Sequence, residues 1–245
     1  MSGLQSMRIA QQPAFVLHHR PYRNTSLLIE VLSRDHGRIG LVARGVRTSR
    51  SRLKGLLQPF VPLLLSWSGK GELLQLVAAE EGEETVSLPV DRLLCGLYVN
   101  ELLLHLLHRF DPCSEVFDAY EWLLTTLSAN ESEESALRIF EKRLLSALGY
   151  GLMLATDTSG ARVIPEKTYY YVLEHGPTVD AAPNAGIEIA GKSLLALHFE
   201  TVTDPVVRRE IKRLTRAVID LHLGGRPLQT RALARAGLRS GSRRG

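Results

Sequence analysis

Phosphate binding is the chemistry that this sequence offers most openly, and the residues suited to it cluster between Arg44 and Lys54. This segment holds five cations and no acid, and glycine, serine and threonine fill the gaps between them. It follows a strand-like run, 38–43, where a rim loop of a small β-barrel would lie. Such a loop can hold a nucleic-acid backbone without reading its sequence. A loop kept polar for solubility has the same composition, so the segment alone leaves both interpretations open.

Further basic and aromatic residues extend this candidate surface. Arg20, Tyr22 and Arg23 follow the first predicted strand, so we expect them to share the barrel rim with the loop. Tyr22 and Trp67 are candidate platforms on which unpaired bases stack, and a place in the barrel core is the alternative for Trp67. The segment from Gly224 opens a tail that is either a disordered basic arm or a last helix. The predicted nucleic-acid-binding residues are Arg20, Tyr22, Arg23, Arg38, Arg44, Arg47, Arg50, Arg52, Lys54, Arg226 and Arg231.

One segment matches a nucleotide-binding motif. Residues Gly186–Ser193 fit the pattern G-x-x-x-x-G-K-S of the phosphate-binding P-loop. A P-loop follows a buried strand, however, whereas polar and proline-containing residues 180–184 precede this segment. Glu188 would also point a carboxylate at the phosphates, and no apolar strand ending in aspartate follows to hold Mg²⁺. We therefore predict a strand over 187–189, a glycine turn and a helix over 193–199, with a P-loop nucleotide hydrolase as the alternative.

Other reactive side chains form no recognisable centre in the sequence. Glu101, His105 and His108 share one helix face at spacings that can bind a metal, but no further ligand is evident. Cys95 and Cys113 are too few for a disulfide framework or a four-cysteine zinc site. Neither a nucleophile elbow nor a zinc-protease motif occurs. The sequence therefore predicts a protein that is not an enzyme and that uses no metal or cofactor.

Charge is distributed unevenly along the 245 residues, although the net charge is only +4. Residues 8–70 carry a net charge of +9, residues 80–141 one of −11, and residues 205–245 one of +9. The two basic ends indicate a polyanionic partner, whereas the acidic middle is either helix surface or a contact for a basic protein. The sequence shows neither a signal-peptide core nor an apolar run long enough to cross a bilayer. We therefore expect a cytoplasmic protein.

The first part of the chain predicts a barrel. Five short strands in about 70 residues fit a small closed barrel, of which the OB-fold is the commonest; an SH3-like barrel gives a similar pattern. One helical turn is predicted over 51–57. The predicted strands are 14–17, 26–33, 37–43, 60–67 and 73–79.

Helical patterns follow an acidic connector, 80–84. Ser114 is a suitable N-cap, and Asp204 followed by proline is a strong helix start. We predict an α+β chain with an OB-fold domain and a helical domain. The domains are 1–81 and 82–245, with a turn-rich insertion at 157–191 and a basic tail at 224–245. The predicted helices are 91–110, 114–127, 134–148 and 205–223, and the insertion contains one strand, 169–173.

Six groups of residues carry a likeness to a known family, in one order along almost the whole chain. They are 14–18 with 20–22, 41–47, 53–65, 96–102, 136–151, and 223–228 with Arg231. Together they resemble the RecO family of bacterial recombination mediators, and the set is far more specific than any single motif. Some relatives carry a four-cysteine zinc module in the insertion. Residues 157–191 contain no cysteine, so we expect no zinc here.

The resemblance implies an N-terminal OB-fold, a helical C-terminal domain and a set of partners. It implies binding of single- and double-stranded DNA, annealing of complementary strands and association with the nucleoid. It also implies work with RecR in loading RecA onto strands coated by single-strand-binding protein, whose acidic, Phe-ended tail docks on the helical domain. The motif assigns the tail carboxylates to Arg138, with Arg143 as a neighbour; a solvated position near Glu134 and Glu141 is the alternative for Arg138. A protein-interaction scaffold without DNA binding is the remaining alternative for the function.

Overall fold

The computed structural model describes residues 7–48, 51–82, 87–129, 132–180 and 186–241. The chain forms two compact units: Met1–Ser128 with Leu228–Gly245 make the first unit, and Ala129–Pro227 make the second. The first unit therefore combines the predicted barrel with predicted helices and the C-terminal segment. The domain boundaries expected from the sequence, 1–81 and 82–245, stay a prediction.

Five strands close into a barrel in the first unit. They are β1 (Met7–Tyr22), β2 (Ser26–Ser33), β3 (Gly37–Ala43), β4 (Pro62–Gly69) and β5 (Leu73–Glu81). The closed order is β1-β2-β3-β5-β4, and β3 pairs in parallel with β5. This order is that of an OB-fold, so the predicted OB-fold barrel is confirmed and the SH3-like alternative is wrong.

The strand boundaries show where the sequence pattern is informative. β2 and β3 match the predicted spans 26–33 and 37–43. β1 is far longer than the predicted 14–17, because polar residues interrupt its apolar pattern and its pairing register shifts twice. β4 begins at Pro62 rather than at Phe60, whose φ of 72° cannot continue a strand.

Side chains from all five strands fill the barrel interior. Trp67 is the largest of them and is fully buried, with the His36 ring edge-on to its indole at a centroid distance of 5.3 Å. Because the indole is shielded from solvent, it cannot stack on a base. Of the two alternatives for Trp67, the place in the core is therefore correct.

The first unit also contains four α-helices among its described residues. They are α1 (Leu53–Leu56), α2 (Leu93–Leu106), α3 (Ser114–Ser128) and α7 (Gln229–Gly241). The basic tail thus continues as a last helix as far as residue 241, which was one of its two alternatives. Ser114 is itself the first residue of α3 rather than its cap.

A buried polar chain joins α2 and α3 to the barrel. The Asn100 side chain on α2 donates from Nδ2 to the carbonyl of Leu17 at 2.9 Å. Its Oδ1 accepts a hydrogen bond of 2.7 Å from the hydroxyl of Tyr120 on α3. Burial raises the pKa of Tyr120, so this hydroxyl stays protonated and donates. Both ends of the Asn100 amide are therefore paired, as a buried polar group requires.

The second unit packs helices with a small sheet. It contains α4 (Glu133–Ala147), α5 (Gly191–His198), α6 (Pro205–Leu223) and strands β6 (Thr168–Val172), β7 (Gly176–Thr178) and β8 (Ile187–Ala190), in the sheet order β7-β6-β8. Among the described helices of the chain, none combines the length and apolar character needed to cross a membrane.

Helix α6 occupies the span predicted for it. The Asp204 carboxylate caps it by accepting hydrogen bonds from the amides of Val207 at 3.2 Å and Val206 at 2.6 Å. These two bonds hold the pKa of Asp204 below its usual value. Gly224 ends the helix in the left-handed conformation, with a φ of 59°.

Candidate nucleic-acid interface

The candidate site lies at one end of the barrel, where strand ends meet. β1 ends there at Tyr22, β2 begins at Ser26, and β5 begins after the turn that follows β4. A cavity of about 220 Å³ opens between these strand ends, and its lining includes Tyr22, Arg23, Ser26, Arg44 and Gln75. We call the surface around it the rim. The rim comprises Arg20, Tyr22, Arg23, Arg44 and Arg47.

Arg23 and Tyr22 form a pair at the turn between β1 and β2. Arg23 has a φ of 52°, in the left-handed region, which turns the chain sharply at the end of β1. Its guanidinium carbon lies 5.2 Å from the centroid of the Tyr22 ring, a cation–π contact. Arg23 is exposed, and Tyr22 is half-buried. The pair therefore offers a positive charge beside an aromatic ring to a ligand at the cavity.

Arg47 fixes the loop after β3 against the turn between β1 and β2. Its backbone amide donates to the carbonyl of Thr25 at 2.9 Å. Its guanidinium donates to the carbonyls of Arg23 at 3.3 Å and Asn24 at 3.4 Å. The preceding Val46 is fully buried in the barrel core. The two loops are thus held together before any ligand binds, which lowers the ordering cost of binding.

Arg20 and Arg44 complete the rim with charges that face solvent. Arg20 lies two residues before Tyr22 on β1, hence on the same face of the strand, and Arg44 directly follows β3. Both are exposed, and neither pairs with a carboxylate among the residues that the structure describes. Their charges are therefore available to a phosphate.

Arg38 was predicted to bind nucleic acid, but its side chain is turned into the protein. Its Nε donates to Glu30 at 3.0 Å, and its Nη1 donates to the carbonyls of Leu104 and Leu107 at the end of α2. Arg109 pairs with the same carboxylate, and only 18% of the Arg38 side chain is exposed. This cluster joins the barrel to α2. A DNA contact by Arg38 stays a prediction, and it would have to compete with these bonds.

The remaining predicted residues of the basic loop are not brought to the rim cavity. Arg52 precedes α1 and Lys54 lies on it; both are exposed, and neither lines the cavity. Arg50 lies outside the described residues. The roles of all three in binding DNA stay predictions.

The two predicted residues of the tail lie in different units. Arg226 is exposed just after α6 in the second unit and donates from Nε to the carbonyl of Leu223 at 3.2 Å. Arg231 lies on α7 in the first unit, with its guanidinium carbon 5.6 Å from the ring centroid of Tyr98 on α2. Arg231 is thus partly used to hold α7, whereas Arg226 presents its charge to solvent.

Arg138 does not reach the surface. It is 3% exposed, and its Nη2 lies 2.9 Å from the carboxylate of Glu141, which is fully buried. Its Nη1 donates to the Thr215 hydroxyl at 3.3 Å, and that hydroxyl donates to Glu141 at 2.6 Å. This triad links α4 to α6, so the alternative of a solvated helix position is wrong. A contact between Arg138 and a peptide carboxylate stays a prediction that would require the triad to open.

Arg143 lies closer to the surface, in a cluster around Glu200. Glu200 accepts hydrogen bonds from Arg143 and, at 3.0 Å, from Lys142. Burial alone would raise the pKa of Glu200, but these bonds outweigh it and hold the pKa below its usual value. The Arg143 side chain is 34% exposed. Two cations of α4 can therefore hold a carboxylate near solvent, and Glu200 holds that position in the free protein.

Sequence reasoning missed three residues at the rim. Ser26 and Gln75 line the cavity, and Lys70 is exposed in the turn between β4 and β5 that closes it. Ser26 and Gln75 carry no charge and stand inside strand patterns, so their residue types do not mark them as candidates. Lys70 lies in the turn that follows the predicted strand 60–67 and is the one that a rim argument could have found.

The P-loop-like segment adopts the predicted strand and helix. β8 covers residues 187–190, and α5 begins at Gly191 without the predicted intervening turn. The Glu210 carboxylate accepts hydrogen bonds from the amide of Ala190 at 3.0 Å and from the hydroxyl of Ser193 at 2.6 Å. A P-loop offers these groups to phosphate and Mg²⁺. An anion from α6 already fills that place, which argues against the nucleotide-hydrolase alternative.

Glu101 on α2 has a structural partner. Its carboxylate accepts hydrogen bonds from the amides of Gln229 at 2.7 Å and Thr230 at 3.0 Å and from the Thr230 hydroxyl. It therefore caps the start of α7. Within the described ranges, no group of three His, Cys, Asp or Glu side chains is close enough to hold a metal ion.

Comparison with known proteins places both parts of the chain in one family. The family model described as "Recombination protein O N terminal" matches residues 7–81, and "Recombination protein O C terminal" matches residues 90–232. The chain is 50% identical over 231 residues to DNA repair protein RecO of Alkalilimnicola ehrlichii, covering 93% of this chain and 92% of the relative.

Two further relatives agree. DNA repair protein RecO of Methylococcus capsulatus is 46% identical over 230 residues, 94% of each chain. That of Dechloromonas aromatica is 44% identical over 230 residues, 92% of this chain and 95% of the relative. Matches of this identity over nearly the full length confirm the resemblance seen in the sequence. The chain therefore belongs to the RecO family of recombination and DNA repair proteins.

Proposed function

We propose that this chain is a mediator of recombinational repair that binds single- and double-stranded DNA through the rim and catalyses no reaction. Family membership supports a role in DNA repair and recombination. The observation that carries the finer proposal is the rim itself. Two exposed arginines, Arg23 and Arg44, line a cavity beside two loops that Arg47 holds together. A third exposed arginine, Arg20, lies on the same strand face as Tyr22. Such a surface suits a phosphate backbone with an unpaired base beside Tyr22.

Annealing follows from the same electrostatics. Complementary strands repel each other through their phosphates, and a protein that neutralises part of that charge lowers the barrier to their approach. No base edge needs to be read for this purpose, because base pairing itself supplies the sequence specificity. A rim of arginines around a small cavity is therefore sufficient chemistry for the task.

The proposed protein partners are those of the family: RecR, RecA and single-strand-binding protein. We propose that the tail of the last docks on α4, where its carboxylates replace Glu200 at Arg143 and Lys142, with Arg138 supporting α4 from within. An Arg fork beside a carboxylate is the usual recognition of such a group. Binding of a tail peptide should weaken in Arg143→Ala; unchanged affinity would remove Arg143 from the site.

The test of DNA binding is a salt series with a labelled single strand. The rim variant Arg23→Ala/Arg44→Ala removes two charges, and Arg162→Ala/Lys167→Ala removes two exposed charges from the second unit as a matched control. Loss of two phosphate contacts should make the log–log salt slope of the rim variant shallower by about 1.4, since each contact on a single strand contributes about 0.7. The control should keep the slope of the wild type.

Other outcomes separate the alternatives. Strong binding with an unchanged slope in the rim variant would put the DNA path elsewhere, with the basic C-terminal segment as the next candidate. Failure of the wild type to bind a strand at moderate salt would favour the interaction scaffold whose basic ends only keep it soluble.

A further inference from the structure

The first half of α6 carries a positive charge that the proposed rim does not use. Residues 205–216 hold five cations and one acid. Val207, Ile211 and Leu214 form the buried side of the helix. Arg209 and Arg213 therefore lie one turn apart on the opposite, exposed side.

The neighbouring charges of α6 are already paired within the second unit. Lys212 donates to Glu134 at 2.5 Å, and Arg208 donates to the hydroxyl of Ser132 at 3.3 Å. The acid of the segment, Glu210, is directed toward the amide at the end of β8 and the Ser193 hydroxyl. The fifth cation, Arg216, does not line the cavity beside the sheet, whereas Arg209 and Arg213 do.

These two arginines line a cavity of about 390 Å³. Thr168 at the start of β6, Glu188 on β8 and Glu210 on α6 also line it. Arg213 is fixed there by a hydrogen bond to the backbone carbonyl of Glu188, while Arg209 is exposed with no ion-pair partner among the described residues.

We propose that this surface, named the α6 surface and comprising Thr168, Arg209 and Arg213, binds the phosphates of a second DNA strand. Two arginine forks and a hydroxyl are groups that hold phosphate oxygens. An acidic peptide is the less suitable occupant, because peptide docking needs an apolar anchor and this cavity offers only Val206 and Ala190 as apolar lining. Two carboxylates, Glu188 and Glu210, also line the cavity and limit the affinity of the site. Glu210 is already engaged by the Ala190 amide and the Ser193 hydroxyl, so Glu188 is the opposing charge that faces the ligand without such donors.

The inference rests on the proposed function of the rim and extends it. Annealing requires two strands at once, and two basic surfaces on two compact units allow one chain to hold both. The α6 surface offers groups for the backbone and the rim offers one aromatic ring, Tyr22, so most bases of the two strands remain free to pair. Loss of the α6 surface should therefore leave binding of the first strand intact and reduce annealing.

The experiment measures strand stoichiometry and annealing on the full-length chain. Donor-labelled and acceptor-labelled oligothymidine strands, which cannot pair, report two strands on one protein by energy transfer. We expect Arg209→Ala/Arg213→Ala to lose this energy transfer and to anneal complementary strands more slowly, with first-strand affinity within about twofold of the wild type because exposed substitutions leave the fold intact. Arg162→Ala/Lys167→Ala, which removes the same charge elsewhere in the unit, should retain both activities.

A variant that is expected to strengthen binding distinguishes a lost contact from damage to the fold. Glu188→Gln removes one of the two carboxylates that line the cavity and should raise the affinity for the second strand. Retention of energy transfer and annealing in Arg209→Ala/Arg213→Ala would overturn the proposal, as would a wild type that holds one strand per chain. A glutamate-rich peptide that binds this surface when the second strand does not would assign it to an acidic protein instead. A wild type that binds no strand at all would refute the rim proposal as well, so the two failures are distinguishable.

Discussion

Arginines of the rim and arginines of the interior look alike in the sequence, yet the structure uses them in opposite ways. Arg23 and Arg44 are exposed around an open cavity. Arg38 and Arg138 are turned inward, each against a carboxylate and further oxygen acceptors. Removing an exposed charge changes only what the protein attracts, whereas removing a buried charge leaves its partner without compensation. The availability of an arginine therefore depends on its partners, which lie far away along the chain.

The triad of Arg138, Glu141 and Thr215 gives the largest expected effect. Glu141→Leu would leave the Arg138 guanidinium buried without its carboxylate, so we expect unfolding to become easier by about 3–5 kcal/mol. The double variant Arg138→Met/Glu141→Leu removes both charges and should recover most of that loss, because an apolar pair of similar volume is often neutral. Urea unfolding followed by circular dichroism measures both values.

The recovery of stability in the double variant is the critical part of this test. If the double variant were as unstable as the single one, the loss would come from packing rather than from an unpaired charge. A single variant that lost under about 1 kcal/mol would show that the pair behaves as an exposed one.

Arg38 and Arg44 give the next contrast. Arg38 lies on β3 and Arg44 directly follows this strand, but only Arg44 is exposed. Arg38→Ala should lower the free energy of unfolding by about 1–3 kcal/mol, because Glu30 and two backbone carbonyls lose a donor. It should leave the salt slope of DNA binding unchanged. Arg44→Ala should change stability by no more than about 0.5 kcal/mol and make the slope shallower by about 0.7.

The opposite result would exchange the structural role of Arg38 and the DNA-binding role of Arg44. A stable Arg38→Ala variant with a shallower salt slope would restore Arg38 as a DNA contact and would show that its bonds to α2 open on binding. The same titration on Arg44→Ala serves as the reference.

Local sequence patterns predicted much of the fold, because the boundaries of many elements depend on neighbouring residues. β2 and β3 are mainly apolar runs on either side of a turn, and α6 begins at a capping aspartate followed by proline and ends at Gly224, so their boundaries match. β1 exceeds its prediction, since polar residues such as Gln11 and Gln12 interrupt the apolar pattern, while pairing with β4 resumes at Gln12 after an irregularity. Pairing with distant strands overrides the local pattern there.

The candidate site was predictable in composition and less so in geometry. Arg20, Arg23 and Arg44 follow strand ends, and strand ends meet at a barrel rim, so the grouping could be expected. The inward turn of Arg38 depends on Glu30 and on carbonyls of α2 more than sixty residues away. The rim cavity likewise depends on Gln75 meeting β3, which follows from strand order and not from residue type.

The hydrogen bonds between Glu101 on α2 and the start of α7 give the smallest expected effect on stability. They extend the comparison of exposed and buried charges from arginines to a carboxylate. Burial alone would raise the pKa of Glu101, but the hydrogen bonds from Thr230 and Gln229 outweigh it and lower the pKa. A lowered pKa means that this contact stabilises the protein above the usual glutamate range, about pH 4.3, and is lost as the pH falls through the lowered value. Because the carboxylate is partly exposed, solvent screening keeps the effect small.

The prediction is that Glu101→Gln speeds amide hydrogen exchange at Gln229 and Thr230 at neutral pH, since a neutral amide is a weaker acceptor at a helix start. The difference from the wild type should shrink in acid, where Glu101 of the wild type also becomes neutral. Glu115→Gln alters an exposed acid of α3 and should leave α7 unaffected at every pH. Equal exchange of wild type and Glu101→Gln at neutral pH would mean that contacts such as that of Arg231 with Tyr98 hold α7 on α2 without the cap. The Glu101 carboxylate would then be dispensable, unlike those of Glu30 and Glu141.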